Sequence, residues 1–294
     1  MKRDKIKLIS AMTILGTISI VRRNIPYASS VVSLVRGLIG CLFLLLLRLV
    51  QKKPMNLPNI RKNFFLLFVS GALLGINWIV LFEAYRYTTV AIATVCNYMA
   101  PVFVMAASPV LLHEKLTLKK CLCVAVALVG MLMVSGVQTA SVTDMKGIGF
   151  AMFSAVTYAG GILLNKKIKG LKGDERSIVQ LGISTIVLLP YVLKTEDLQQ
   201  MEITPTAIGL LLVIGVVYTG IAYALYYGSL ETIPAQTVAI LSYIDFVVAI
   251  LVSAFIFHEE TTAAAWVGVL AVLGAAIFSE VGFEPGERRN KGSM

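Results

Sequence analysis

The sequence predicts an all-α membrane protein: ten transmembrane helices in two inverted five-helix repeats. Three observations lead there: an apolar composition, charge confined to short runs, and self-similarity at an offset of 145 residues. Hydrophobic residues make up 57% of the 294 and charged residues only 14%, where soluble domains carry about 25% charge. A chain with so little polar surface has lipid as its main solvent.

The expected spans are 6–21, 31–50, 64–82, 90–112 and 118–137 in the first half, and 148–164, 178–193, 207–228, 235–257 and 263–281 in the second. Each is near the ~20 residues needed to cross ~30 Å of hydrocarbon. The first has a basic front, but no small-x-small pattern precedes Arg22, so it reads as an uncleaved span rather than a signal peptide. With both termini cytoplasmic, twenty Lys and Arg fall inside and five outside, leaving Arg36 within the second span. That asymmetry obeys the positive-inside rule, and the outside pair Arg22 and Arg23 runs against it.

The offset aligns Tyr98, Val102, Ser108, His113, Glu114 and Thr117 with Tyr243, Val247, Ser253, His258, Glu259 and Thr262, and Gly75-Ile76 with Gly220-Ile221. Two repeats follow, 1–145 and 146–294. Five spans per repeat force the second to insert upside down. The basic loop at His113–Lys120 should be cytoplasmic, and its uncharged-to-acidic mate at His258–Thr262 outside. Inverted repeats let a carrier adopt two related conformations around a site near the bilayer midplane.

These segments carry a family resemblance over essentially the whole chain. Ala84-Tyr-Arg-Tyr-Thr88, Tyr98-Met-Ala-Pro-Val-Phe103 and His113-Glu-Lys-Leu-Thr117, with second copies at Leu241-Ser-Tyr243 and His258-Glu-Glu-Thr-Thr262 and an Arg at position 36, resemble the EamA-like branch of the drug/metabolite transporter superfamily. The resemblance implies a ten-helix inverted-repeat carrier, often an exporter of amino acids, other metabolites or toxic compounds, and the small size and basic inner loops fit a plasma (inner) membrane. Two departures stand out. The tryptophan often found in the first and sixth spans is absent, with Leu15 and Thr157 nearest, and the usual Gly before each Glu is His113 or His258.

Polar groups at mid-membrane are the candidates for a substrate pathway. By rise per residue, Tyr98, Tyr158 and Tyr243 each lie about 13–16 Å from a span end. Thr94, Asn97, Tyr98 and Pro101 share one helical face, as do Thr219, Tyr223, Tyr226 and Tyr227. Asn77 and Trp78 extend the same polar set. Asp245 is the sharpest feature, an acid at mid-bilayer expected to pair with Arg36, with a proton or with a substrate ammonium. Arg36 is equally suited to a substrate carboxylate, and an amino-acid-like ligand would then bridge the two.

Other readings are excluded or set aside. The G-x-x-x-x-G-K-(S/T) nucleotide signature is absent, so no cofactor is expected and energy must come from a gradient. His113-Glu114 and His258-Glu259 fail as H-E-x-x-H because Thr117 and Thr262 stand at the fourth position. The rivals to a carrier are an intramembrane enzyme, which no paired acidic motif or Ser-His pair supports, and a non-transporting membrane scaffold, which predicts no substrate-dependent behaviour. The net charge of +10 is explained by span ends, without nucleic acid. Glu83, Glu231 and Glu280 are expected to be solvated at span ends, and the four cysteines to be inert thiols. Pro101 and Pro109 are expected to bend the fourth span. Expected partners are lipid, a small-molecule substrate and, through Gly71-x-x-x-Gly75, either a helix of the same chain or a second copy in a homodimer.

Overall fold

In lipid a backbone must satisfy its own hydrogen bonds, and runs of Leu, Ile, Val and Ala do so as helices. A computed structural model describes residues 2–135, 145–198, 204–259 and 262–280, and its regular elements are all helical. They are α1 (Lys2–Gly16), α2 (Ile18–Arg22), α3 (Ser29–Val50), α4 (Leu57–Lys62), α5 (Phe64–Tyr87), α6 (Val90–Asn97), α7 (Ala100–Leu112), α8 (Leu118–Ser135), α9 (Met145–Lys167), α10 (Gly173–Thr195), α11 (Pro205–Val213), a π-helical stretch (Ile214–Ile221), α12 (Ala222–Ser229), α13 (Ala235–Leu241), α14 (Ile244–Phe255) and α15 (Ala263–Glu280).

Seven described helices are long and apolar enough to cross a membrane: Ser29–Val50, Phe64–Tyr87, Val90–Leu112, Met145–Lys167, Gly173–Thr195, Pro205–Ser229 and Ala235–Phe255. The three other expected spans are helical but shorter, at 15 residues for α1 and 18 each for α8 and α15. The expected ends at 137 and 281 lie outside the described residues. The span expected at 178–193 begins earlier, at Gly173, because Glu175 and Arg176 are matched by partners and buried, so their charge does not end the helix.

Helix ends keep the offset of 145. α6 and α13 start at Val90 and Ala235, and α8 and α15 cover Leu118–Ser135 and Ala263–Glu280. His113 and His258 both adopt left-handed backbone, with φ of 56° and 53°. A glycine is the default in that conformation, and His is among the side chains that tolerate it. After each, the Glu amide donates to a serine carbonyl, Glu114 to Ser108 at 3.4 Å and Glu259 to Ser253 at 3.1 Å. Thr117 and Thr262 then cap the helices that follow, accepting from the amides of Lys120 and Ala265.

Glycines set the tightest helix crossings. A Cβ at Gly71 would lie 3.1 Å from the Gln180 carbonyl oxygen, and one at Gly75 2.9 Å from that of Ser184, so this motif joins α5 to α10 within the chain. Gly130 and Gly268 seat α8 on α15 in the same way. α3 packs on the π-helical stretch, where a Cβ at Gly220 would meet the Phe43 ring at 2.7 Å. The two largest buried apolar clusters among the described residues lie one around Tyr243, Val104 and Met131 and the other around Leu74, Leu181 and Ile214.

Charge divides the two ends of the bundle. One, here the basic end, carries Arg48, Lys120, Lys166 and Arg176; the other, the far end, carries Arg22, Arg86 and Glu259.

Candidate functional site

A cavity of about 380 Å3 opens toward the far end between α1–α2, α3, α5, α6–α7, α9, α12 and α13–α14. Its lining includes all nine residues expected to form a site: Arg36, Asn77, Trp78, Asn97, Tyr98, Tyr158, Tyr223, Tyr243 and Asp245. Their roles within it differ.

Arg36 reaches in from α3 with its guanidinium carbon 4.7 Å from the centre of the Trp78 ring. Such a cation–π contact contributes on the order of 0.5–2 kcal/mol, far less than a buried charge loses on leaving water. Its Nε is buried with no hydrogen-bond partner. Among the described residues no acid lies within ion-pair distance of Arg36, so of the three partners considered for Asp245 the pairing with Arg36 does not form in this structure. The physical reason is topology: α1 rather than α3 packs on α14, and the cavity separates the two charges. Asp245 sits in the first turn of α14, where its carboxylate accepts from the Phe246 amide at 2.7 Å and neighbours the Tyr98 side chain.

The two helices carrying Tyr98 and Tyr243 are both interrupted at that point, α6 giving way to α7 and α13 to α14. Tyr243, fully buried, donates to the Tyr98 carbonyl at 3.1 Å, and the two rings lie 6.2 Å apart. The break is therefore held by a side-chain bond from the opposite half. Asn77 and Asn97 meet through Ser154 of α9, which accepts from Asn77 at 2.8 Å and donates to Asn97 at 2.9 Å. Both amides therefore line the cavity and also join α5, α6 and α9.

A layer of tyrosines forms the floor. Tyr158 and Tyr226 hydroxyls are 3.5 Å apart, and the rings of Tyr223, Tyr226 and Tyr227 lie edge-on at 5.3–6.5 Å. Below them a pocket of about 50 Å3 is lined by Ser70, Gly161 and Asn165. Leu15, Asn77, Tyr158 and Tyr223 border both spaces.

Beneath this layer polar groups tie the helices of the basic end together. Arg48 pairs with Asp174 and with Glu175, at 3.0 Å for the latter. Arg176, fully buried, donates to the carbonyls of Leu171, Asn165 and Ile168. Lys166 donates to the carbonyls of Leu230 and Ile233, and Glu114 accepts from the amides of Ala235 and Gln236. Glu231 is exposed as expected and lies 3.7 Å from Arg176, and Glu83 accepts from the Tyr191 hydroxyl at 2.6 Å; the side chain of Glu280 is outside the described set.

Residues not expected in the site also reach the cavity, notably Arg22, Ser33 and Tyr85. Arg22 donates to the carbonyls of Ile25 and Tyr27 and to Ser29, which ties down the chain between α2 and α3. Its offence against the positive-inside rule was the signal: a cation kept where it is disfavoured has another task.

With this geometry in view, likeness to other proteins becomes informative. The chain is 27% identical over 254 residues to the "Uncharacterized transporter YxxF" of Bacillus subtilis, covering 84% of this chain and 79% of that one. It is 27% identical over 282 residues to an "Uncharacterized transporter" of Archaeoglobus fulgidus, covering 95% and 97%. A crystal structure with 14% sequence identity superposes with a TM-score of 0.83 over 95% of this chain and 98% of the other, a likeness of fold. The model of the EamA-like transporter family matches twice, at residues 6–136 and 145–280. The chain, a multi-pass helical membrane protein, belongs to the EamA-like transporter family.

Proposed function

We propose that the protein is a secondary carrier exporting amino acids or closely related small metabolites by alternating access. In this reading it consists of two inverted five-helix repeats, 1–145 and 146–294, in the plasma membrane with both termini cytoplasmic. α1 with α2, α8 and α15 count as the remaining spans. The basic end faces the cytoplasm and the far end the exterior, as the distribution of Lys and Arg favours. The shared helix bounds at offset 145 and the twofold match of the family model support the repeat.

The observation that carries the reading is a cavity lined by two charged side chains, Arg36 and Asp245, that do not pair with each other. Arg36 offers a fork of donors to a carboxylate, and Asp245 an acceptor for an ammonium. A solute bearing both groups neutralises both walls at once, whereas a solute with one charge leaves the other uncompensated in a low-dielectric site. Trp78 and the tyrosines supply apolar faces for the remainder of such a solute. An intramembrane enzyme fits less well: among the described residues the cavity lining has no His, Cys or Lys.

Counterflow in proteoliposomes preloaded with amino acids, simple amines or simple carboxylates tests this. Exchange should be fastest with amino acids, and Arg36→Lys or Asp245→Asn should each reduce it about tenfold or more, the effect of losing one charged hydrogen bond. Exchange of single-charge solutes alone, or undiminished exchange in both variants, contradicts the proposal.

A further inference from the structure

The carboxylate of Glu114 does something its repeat mate does not. From the turn after α7 it crosses to the other half and accepts from the amides of Ala235, at 2.7 Å, and Gln236, at 3.2 Å. These two amides open the span Ala235–Phe255, and both residues are fully buried. A carboxylate on the first amides of a helix satisfies donors that have no partner in the helix and complements its dipole. Gln236 adds a buried bond to Ser108 at 2.7 Å, and Lys120 donates to Gln236 at 3.0 Å. Glu114 thus clasps one half to the other at the basic end.

The offset of 145 turns this contact into a second one. Glu114 maps to Glu259, and Ala235 and Gln236 map back to Val90 and Ala91, the first two residues of α6. The local structure around the two acids is the same, with left-handed His and a Glu amide on a serine carbonyl. Their engagement differs. Glu259 pairs with Arg23 at 3.2 Å and accepts from Ser253 at 2.6 Å, with its side chain about half exposed. Val90 and Ala91 are exposed, and Thr89 caps only the next amide, that of Ile92. The far end therefore carries both halves of a clasp, held apart, beside the mouth of the cavity.

We infer that Glu114 and Glu259 are the two reciprocal clasps of the transport cycle. Glu114 holds the basic end closed in the conformation described. When that end opens, Glu259 leaves Arg23 and Ser253, takes the amides of Val90 and Ala91, and closes the far end. This rests on the carrier reading above and adds to it the positioning residues that set which side is open. The two clasps are unequal. No counterpart of Gln236 exists at Ala91 and none of Lys120 at Ala265, so the far-end clasp is the weaker and the far-open state is favoured at rest.

The test uses single reporter cysteines in a chain whose four native cysteines are replaced. Gly161→Cys reports on the basic side, where an added Cβ meets no atom within 4 Å, and Thr94→Cys reports on the far-side cavity. Glu114→Gln should raise labelling of Gly161→Cys by an impermeant maleimide and lower that of Thr94→Cys, by roughly tenfold for loss of charge-assisted bonds. Glu259→Gln should shift both reporters in the opposite direction, more weakly. A merely structural role would move both variants the same way, and that result, or no shift with Glu259→Gln, overturns the inference.

Cross-linking covers the case in which a Gln variant does not fold. Glu259→Cys with Ala91→Cys should form a disulfide under mild oxidation, and the locked protein should show Thr94→Cys protected. Failure of this pair to link, while Glu114→Cys with Gln236→Cys does, equally counts against the clasp. Opposite labelling shifts without any solute exchange would leave the clasp standing and defeat the transport reading; exchange without opposite shifts would do the reverse.

Discussion

The two ends of this bundle hold their charges in opposite ways. At the basic end Arg48 and Glu175 are 5% and 3% exposed, and arginine, lysine and glutamate side chains knit α3, α9, α10, α12 and α13 together through backbone carbonyls and amides. At the far end the ion pair Arg23–Glu259 has side chains 59% and 53% exposed, and the lining of the cavity reaches Arg22 and Ser29. Buried pairs are costly to form and costlier to break, while exposed ones contribute little. One end is therefore a seal and the other a mouth, although the chain segments that build them align with one another at a fixed offset.

The sharpest way to break this comparison is to remove one partner of the seal. Arg48→Ala strands Glu175, whose carboxylate also accepts from the amides of Asn56 and Lys172, and leaves Asp174 without its partner. A loss of about 3–5 kcal/mol is expected, seen as a large fall in the thermal midpoint of the detergent-solubilised protein. The smallest effect belongs to the mouth. Arg23→Ala removes an exposed pair and a contact with the Phe257 ring, and should cost less than about 1 kcal/mol by the same measurement. Equal losses at the two sites would erase the distinction between seal and mouth.

Much of the fold was legible in the residues because lipid imposes strong rules. Apolar length marked the seven helices long enough to cross a membrane, and the matched His-Glu and Thr positions gave the register that His113, His258, Thr117 and Thr262 then display in their backbone and caps. The lining of the candidate cavity was legible for a similar reason: a polar side chain at mid-depth needs a cause, and all nine such candidates reach one cavity.

What escaped the sequence were features set by tertiary contact. Glu175 and Arg176 read as loop residues, yet they lie in the first turn of α10 because partners from other segments satisfy them. The π-helical stretch at Ile214–Ile221, where Thr219 bonds back to the Ile214 carbonyl five residues earlier, has no periodicity that marks it in advance. Its glycines are the only hint, and they become meaningful only when α3 is seen pressed against them. The pairing of Arg36 with Asp245 failed for want of one fact, that α1 and not α3 is the neighbour of α14.

The central claim is that the cavity around Arg36 and Asp245 is reached from one face of the membrane at a time. Labelling of Thr94→Cys by an impermeant maleimide in right-side-out and inverted vesicles tests it most directly. Without added solute, reaction should be at least about tenfold faster from the far side, the ratio expected if closing the basic end is favoured by roughly 1.4 kcal/mol. Equal reaction from both faces, or faster reaction from the basic side, would contradict the account.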